Sequence, residues 1–343
     1  MEFTAQQKRA AMVGAVGLGV VMASRAWRRR ETYDFGGKTV AITGGSRGLG
    51  LVMAREFADE GARLALVARD EEELGRAADD IRTRQPFVDV LTIAADVRRR
   101  HDADRAIAEV IERYGRIDVL VNNAGIIQVG PLDHMKLADY EDAMNTHFWG
   151  PLYTVVAALP HMRRQGEGRI VNISSIGGRL AVPHLVPYSA SKFALVGLSD
   201  GLRYELARDN IVVTTVCPGL MRTGSPLKAM FKGRRPQEYA WFAISDSLPL
   251  ASIDARRAAR QIVDACRHGH AELVITLQAK LGILARTLAP ELFADAMSLI
   301  NALLPAAAYG GDEAQPGHQN ESGWAPSPLT RSTYRAAEKN NEM

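Results

Sequence analysis

The sequence predicts an α/β protein: a single doubly wound parallel sheet of about seven strands with helices on both faces. Three observations predict it. Short β-branched runs alternate with segments of helical spacing from Lys38 to about Ile275. Six or seven such units follow one another and leave no gap for a domain boundary. The first run leads straight into a glycine-rich turn, Thr43-Gly44-Gly45-Ser46-Arg47-Gly48-Leu49-Gly50, and then into a helical stretch.

In chain order the strand runs are KTVAIT (38–43), RLALVA (63–68), VDVLTIA (88–94), IDVLV (117–121), RIVNIS (169–174) and IVVTTV (211–216). The segments between them carry Ala, Leu and Arg at helical spacing, so each unit reads as βαβ, and right-handed crossovers wind such units into one sheet. After Val274 the strand signal fades. Residues 279–304 read as two amphipathic helices broken near Pro290, whose apolar stripe is expected to cover the core or a subunit contact rather than face lipid. From Gly310 onward the composition turns to Gly, Pro, Ser, Asn and Gln, which predicts a disordered tail. The expected division is therefore 1–37, a catalytic domain over 38–276, helices over 277–309 and a tail over 310–343.

Residues 1–37 have a different character. Ala10 to Ala23 carry no charge, with Lys8 and Arg9 before them and Arg25, Arg28, Arg29 and Arg30 after. A spanning helix needs about 20 apolar residues, and this Gly-rich run is shorter. Three readings stand: a marginal or tilted membrane anchor, an uncleaved signal-like segment, or a helix packed on the protein or on lipid. If the run inserts, the basic cluster keeps the following domain on the cytoplasmic side. A cleaved secretory signal fits poorly with an enzyme drawing on a cytosolic cofactor.

The 343 residues are 47% hydrophobic and 24% charged, enough for a sizeable core. A net charge of +3 does not argue for nucleic acid. Cys217 and Cys266 are the only cysteines, so neither a disulfide framework nor a CxxC metal pair is present, and a reducing, cytoplasmic setting is expected. No HExxH or His/Cys cluster suggests zinc, so the expected chemistry uses no metal.

The glycine-rich turn carries the first functional signal. Glycines are needed where a turn is tight and where backbone must approach a pyrophosphate, and the helix that follows offers free N–H groups and a positive dipole end to phosphate. The spacing Gly44-xxx-Gly48-x-Gly50 departs from GxGxxG. It resembles the TGxxxGxG fingerprint of the short-chain dehydrogenase/reductase family, a Rossmann-type fold. The second strand ends Val67-Ala68-Arg69, with a small residue where NAD-preferring relatives carry an acid, and Arg47 lies inside the loop. Two guanidiniums suit a 2′-phosphate, so NADP(H) is expected over NAD(H), although Asp70 leaves NAD open.

The resemblance implies a full site over residues 38–223. Ser46, Leu49 and the loop glycines would hold the pyrophosphate; Asp96 and Val97, after the third strand, would contact the adenine. Asn123-Ala124-Gly125 would line the adenine side, while Pro218-Gly219 and Thr223 would pack against the nicotinamide. Asn145, Ser175, Tyr188 and Lys192 would form the catalytic set. The chemistry explains these types: hydride transfer to a carbonyl develops negative charge on oxygen, so a proton donor must sit against it. An ordinary tyrosine pKa is about 10, and a lysine at i+4 shares its face and lowers it. Ser175, 13 residues before Tyr188, is preferred to Ser174 for holding the substrate oxygen. Asn145 would position a water linking Lys192 to solvent.

The expected protein is an NADP(H)-dependent oxidoreductase for a ketone or secondary alcohol, acting as a homo-oligomer. The alternative is a non-catalytic dinucleotide-binding regulator of the same fold. Residues 225–250 are placed to form a lid, with Met230, Phe231, Trp241 and Phe242 giving it an apolar inner face suited to a lipophilic substrate.

Overall fold

The computed structural model describes residues 32–248, 252–308 and 310–343. The apolar run at 10–23 lies outside them. Among the described residues no helix is long and apolar enough to cross a membrane.

The chain runs β1 (Thr39–Thr43), α1 (Gly48–Asp59), β2 (Arg63–Ala68), α2 (Glu71–Arg84), β3 (Val90–Ala94), α3 (Arg100–Tyr114) and β4 (Val119–Asn122). It continues through β5 (Gln128–Val129), α4 (Leu137–Met144), a π-helical turn (Asn145–Trp149), α5 (Gly150–Gln165), β6 (Gly168–Ile173), α6 (Val186–Leu206) and β7 (Ile211–Cys217). Then come β8 (Leu220–Arg222), β9 (Met230–Phe231), α7 (Arg235–Ser247), β10 (Ser252–Asp254), α8 (Ala255–Arg267) and β11 (Glu272–Val274). A helical pair, α9 (Leu277–Leu288) and α10 (Pro290–Leu303), precedes β12 (Gln315–Pro316) and α11 (Arg331–Lys339).

Seven strands form one sheet in the order β11-β7-β6-β4-β1-β2-β3, and every neighbouring pair is parallel. The expected doubly wound architecture is therefore present. Side chains alternate across it: Val40 and Ile42 point into one core with Phe57 and Ile262, and Ala41 into the other with Val155 and Ile107. Burial on both faces explains why the strand runs lack a polar side. From β1 the chain moves outward through β2 and β3, then returns to β4 on the other flank of β1. That reversal opens a crevice above the carboxyl ends of β1 and β4, where ligands bind in open sheets of this kind.

In the C-terminal third one expectation is narrowed and another corrected. Of the two alternatives for the stripe of α9 and α10, the described residues do not show the first, cover for this chain's core: Leu281, Leu292 and Leu303 are exposed, and of the two helices only Ala279 is buried, which leaves the subunit contact. Both sheet faces are already filled by other helices. The tail, in turn, is folded. β12 pairs antiparallel with β9, and α11 lies on α7, where the Tyr334 and Tyr239 hydroxyls meet at 2.7 Å. Its composition lacks large apolar residues, but its small ones do the packing: Ala325, Thr330, Thr333 and Ala337 are fully buried against a surface that the rest of the chain provides.

Candidate active site

The crevice holds a cavity of about 600 Å³. Its floor is the phosphate loop between β1 and α1. Gly44 has φ +64° and a Cβ there would stand 2.8 Å from Ala124 Cα, while a Cβ on Gly50 would overlap the Gly44 carbonyl oxygen. The turn is tied to the fourth strand's end: Asn123 and Ala124 donate backbone N–H to Thr43 Oγ1 at 3.0 and 3.1 Å, and Asn123 Nδ2 donates to the Thr43 and Gly44 carbonyls. Gly44, Ser46, Arg47, Gly48 and Leu49 line the cavity, with Asn123, Ala124 and Gly125 opposite. Gly50 lies behind the loop. These residues suit a dinucleotide, because the cradle is one that a Cβ would fill.

The end of β2 shapes the far wall. Arg69 is exposed and makes no ion pair among the described residues. Asp70 lines the cavity too, and its Oδ1 accepts the Glu73 N–H at 2.9 Å as the cap of α2. Arg47 is less free than its place in the loop suggests: its Nη1 pairs with Glu73 Oε1 at 2.9 Å, and Ser46 Oγ donates to Glu73 Oε2. Asp96 and Val97 line the cavity beyond β3. Burial pushes the Asp96 carboxyl up, but hydrogen bonds from Arg98, the shortest 2.7 Å, hold it below its ordinary value.

At the other end stand the tyrosine and the lysine, both on α6 with one turn between them. Lys192 Nζ lies 5.6 Å from the Tyr188 ring centroid and donates to the Ile173 carbonyl at 2.9 Å. Ser175 follows β6 as the cap of a short 3-10 turn, and its Oγ accepts the Gly177 N–H at 3.0 Å. Ser174 Oγ donates to the Lys192 carbonyl at 3.0 Å and so braces α6. Burial raises the Tyr188 pKa, with Ser175 opposing, and burial lowers Lys192 to about 7.

Asn145 opens the π-helical turn, and its side chain has no hydrogen-bond partner among the described residues. Thr146 and His147 of that turn face the cavity, whereas Asn145 does not. Ser175, Pro218 and Gly219 also stand behind the lining; the Pro218 carbonyl accepts the Ile176 N–H, which ties the turn after β7 to the serine turn. Thr223 lines the cavity from the segment after β8.

Three lining residues had no sequence signal that separated them from ordinary helix residues. Glu73 meets Arg47 as described. His147 Nε2 accepts the Ile126 N–H at 3.1 Å, so its Nδ1 carries the proton and donates to Ser191 Oγ at 2.7 Å; Ser191 donates on to the Tyr188 carbonyl. Burial, then the nearby Lys192 charge, holds this imidazole well below its usual pKa. The third is Glu342, from the tail.

The lid expectation is met in part of its geometry. Phe231 and Phe242 are buried in a cluster with Val129, Leu185 and Tyr239, while Trp241 and Tyr188 pack on it partly exposed. Phe231 is therefore core, and none of Met230, Phe231, Trp241 and Phe242 lines the cavity.

Comparison with known proteins gives a consistent picture. A family model described as short chain dehydrogenase matches residues 38–230. The chain is 40% identical over 197 residues to 11-beta-hydroxysteroid dehydrogenase-like 4A of Arabidopsis thaliana, a match spanning 57% of this chain and 65% of that protein. It is 34% identical to 11-beta-hydroxysteroid dehydrogenase A of Arachis hypogaea, over 80% and 78% of the two chains. Among solved structures, L-sorbose reductase from Gluconobacter frateurii, complexed with NADPH and L-sorbose, aligns with a TM-score of 0.63 at 27% identity, covering 71% of this chain and 97% of that one.

Proposed function

Because the chain belongs to the short-chain dehydrogenase/reductase family, we propose that it is an NADP(H)-dependent oxidoreductase acting on a lipophilic ketone or secondary alcohol, with Tyr188 as general acid and base. The observation that carries the reading is one cavity with a glycine cradle and Arg69 at one end and Tyr188 and Lys192 at the other.

Bound cofactor would supply or accept the hydride. The chain's own residues do the rest. Ser175 stands beside Tyr188, so a substrate oxygen placed between the two hydroxyls would be held by one and protonated by the other. Lys192, on the same helical face, would hold the nicotinamide ribose hydroxyls, and Asn145 would join the proton path to solvent. Catalysis on the cytoplasmic side, with contact to a membrane through residues 10–30, completes the reading.

The test is Tyr188→Phe, which keeps the ring and removes the proton donor. NADPH affinity should hold while single-turnover hydride transfer drops by at least ~10²-fold, the lower end of what acid catalysis contributes. Near-normal turnover on a confirmed substrate would refute the mechanism.

A further inference from the structure

The tail residues Asn340, Asn341 and Glu342 reach the phosphate loop itself. The Asn340 carbonyl accepts the Gly48 N–H at 2.9 Å, and Gly48 is the first residue of α1. Asn341 Nδ2 donates to the Ser46 and Glu73 carbonyls, and Asn340 Nδ2 to the Thr223 carbonyl. Arg55 and Arg76 hold the two asparagine side chains from outside the cavity. Glu342 is buried, and its Oε1 stands 2.5 Å from where a Cβ on Gly48 would be. Its Oε2 lies 3.4 Å from Arg47 Nε, at ion-pair distance but outside hydrogen-bond geometry, and has no hydrogen-bond partner.

A helix N-terminus in a glycine-rich loop offers free N–H groups and a positive field to phosphate oxygens. Here Asn340 and Glu342 supply a carbonyl oxygen and a carboxyl group to that same place. Resting on the dinucleotide reading above, we propose that the Asn340–Glu342 segment competes with the cofactor for its phosphate seat, with the Asn340 carbonyl and the Glu342 side chain taking the place of a phosphate. A dinucleotide entering the cavity must displace the segment or accept a carboxylate beside its own negative charge.

The groups facing Glu342 are Arg47 from the loop, Glu73 from α2 and Lys228 from the segment before β9. Burial pushes the carboxyl up to about 7, with Arg47 and Lys228 opposing and Glu73 adding to the rise. A carboxyl raised by burial holds its proton more tightly docked than free, so the segment docks best with Glu342 protonated; the competition weakens as pH rises toward about 7 and is least above it.

The experiment titrates the full chain with NADH and NADPH at pH 6 and pH 8, following nicotinamide fluorescence. NADH is the primary probe because it has no 2′-phosphate to titrate. A chain ending at Lys339 should bind NADH about fivefold or more tightly than the full chain at pH 6, the effect of removing a segment that is docked most of the time. The gain should shrink at pH 8, and Glu342→Gln, which cannot ionise, should keep the full competition there. Unchanged or weaker NADH binding by the shortened chain at pH 6, with its circular dichroism intact, overturns the proposal, as does tighter NADH binding by Glu342→Gln than by the unmodified chain at pH 8. If the unmodified chain and both variants, all folded, bind neither nucleotide, the dinucleotide reading itself falls and takes this proposal with it.

Discussion

At the scale of residues, the arginines after β1 and β2 are chemically alike in sequence and different in space. Arg47 is drawn toward Glu73 at 2.9 Å and faces Glu342, whereas Arg69 stands exposed and unpaired among the described residues. A 2′-phosphate gains more from a guanidinium that has no carboxylate to give up. Arg69→Ala should therefore lower NADPH affinity by about tenfold relative to NADH, the size of one charge-assisted contact, and Arg47→Ala should do so less. Fluorescence titrations of the two variants with both nucleotides check this; a larger loss in Arg47→Ala would reverse the assignment. The same scale shows why Tyr188 and Lys192 could be picked out from spacing while their charge states could not. Spacing puts both on one helical face, but the rise of one pKa and the fall of the other follow from burial, which no pair of letters records.

At the scale of elements, the five inner strands are legible because each buries both faces, and the phosphate loop because only glycine fits its closest approaches. The tail elements are not legible in this way. α11 is held by contacts to α7, to β8 and to the turn at 225–227, partners that the sequence does not reveal, and one glycine marks a close approach. Gly224 has φ +99°, and a Cβ there would overlap Ala337 of α11. Gly224→Ala should therefore cost about 1–2 kcal/mol for the left-handed backbone alone, before the overlap is relieved. The expected outcome is undocking of α11, read as faster proteolytic cleavage within residues 310–343 while the rest of the chain resists. Equal protection of the tail in the variant would show that the close approach is tolerated. The helices α9 and α10 illustrate the opposite case, in which an amphipathic stripe is easy to see in sequence and yet meets no core.

At the scale of the whole molecule, the cavity joins residues from Gly44 to Glu342, so nearly the entire described chain contributes to one site. Among the described residues, none of its lining comes from before β1. A protein beginning at Thr32 should bind NADPH as tightly as the full chain and, on a confirmed substrate, turn over at the same rate. Matched titrations and initial rates measure this. A clear loss of affinity in the shortened protein would assign part of the site to residues 1–31.

The sequence by itself determined the fold class, the strand order of the chemistry along the chain and the residue types expected around the cofactor, because these depend on local spacing and on the tight steric demands of glycine turns. Tertiary structure alone decided which arginine stays free, which histidine braces Ser191, and where the last residues go. Glu73, His147 and Glu342 reach the cavity through contacts between segments as distant as residues 48 and 340, and such contacts have no local periodicity to betray them. The physical reason is the same in each case: their positions are set by packing against surfaces that exist only once the sheet has formed.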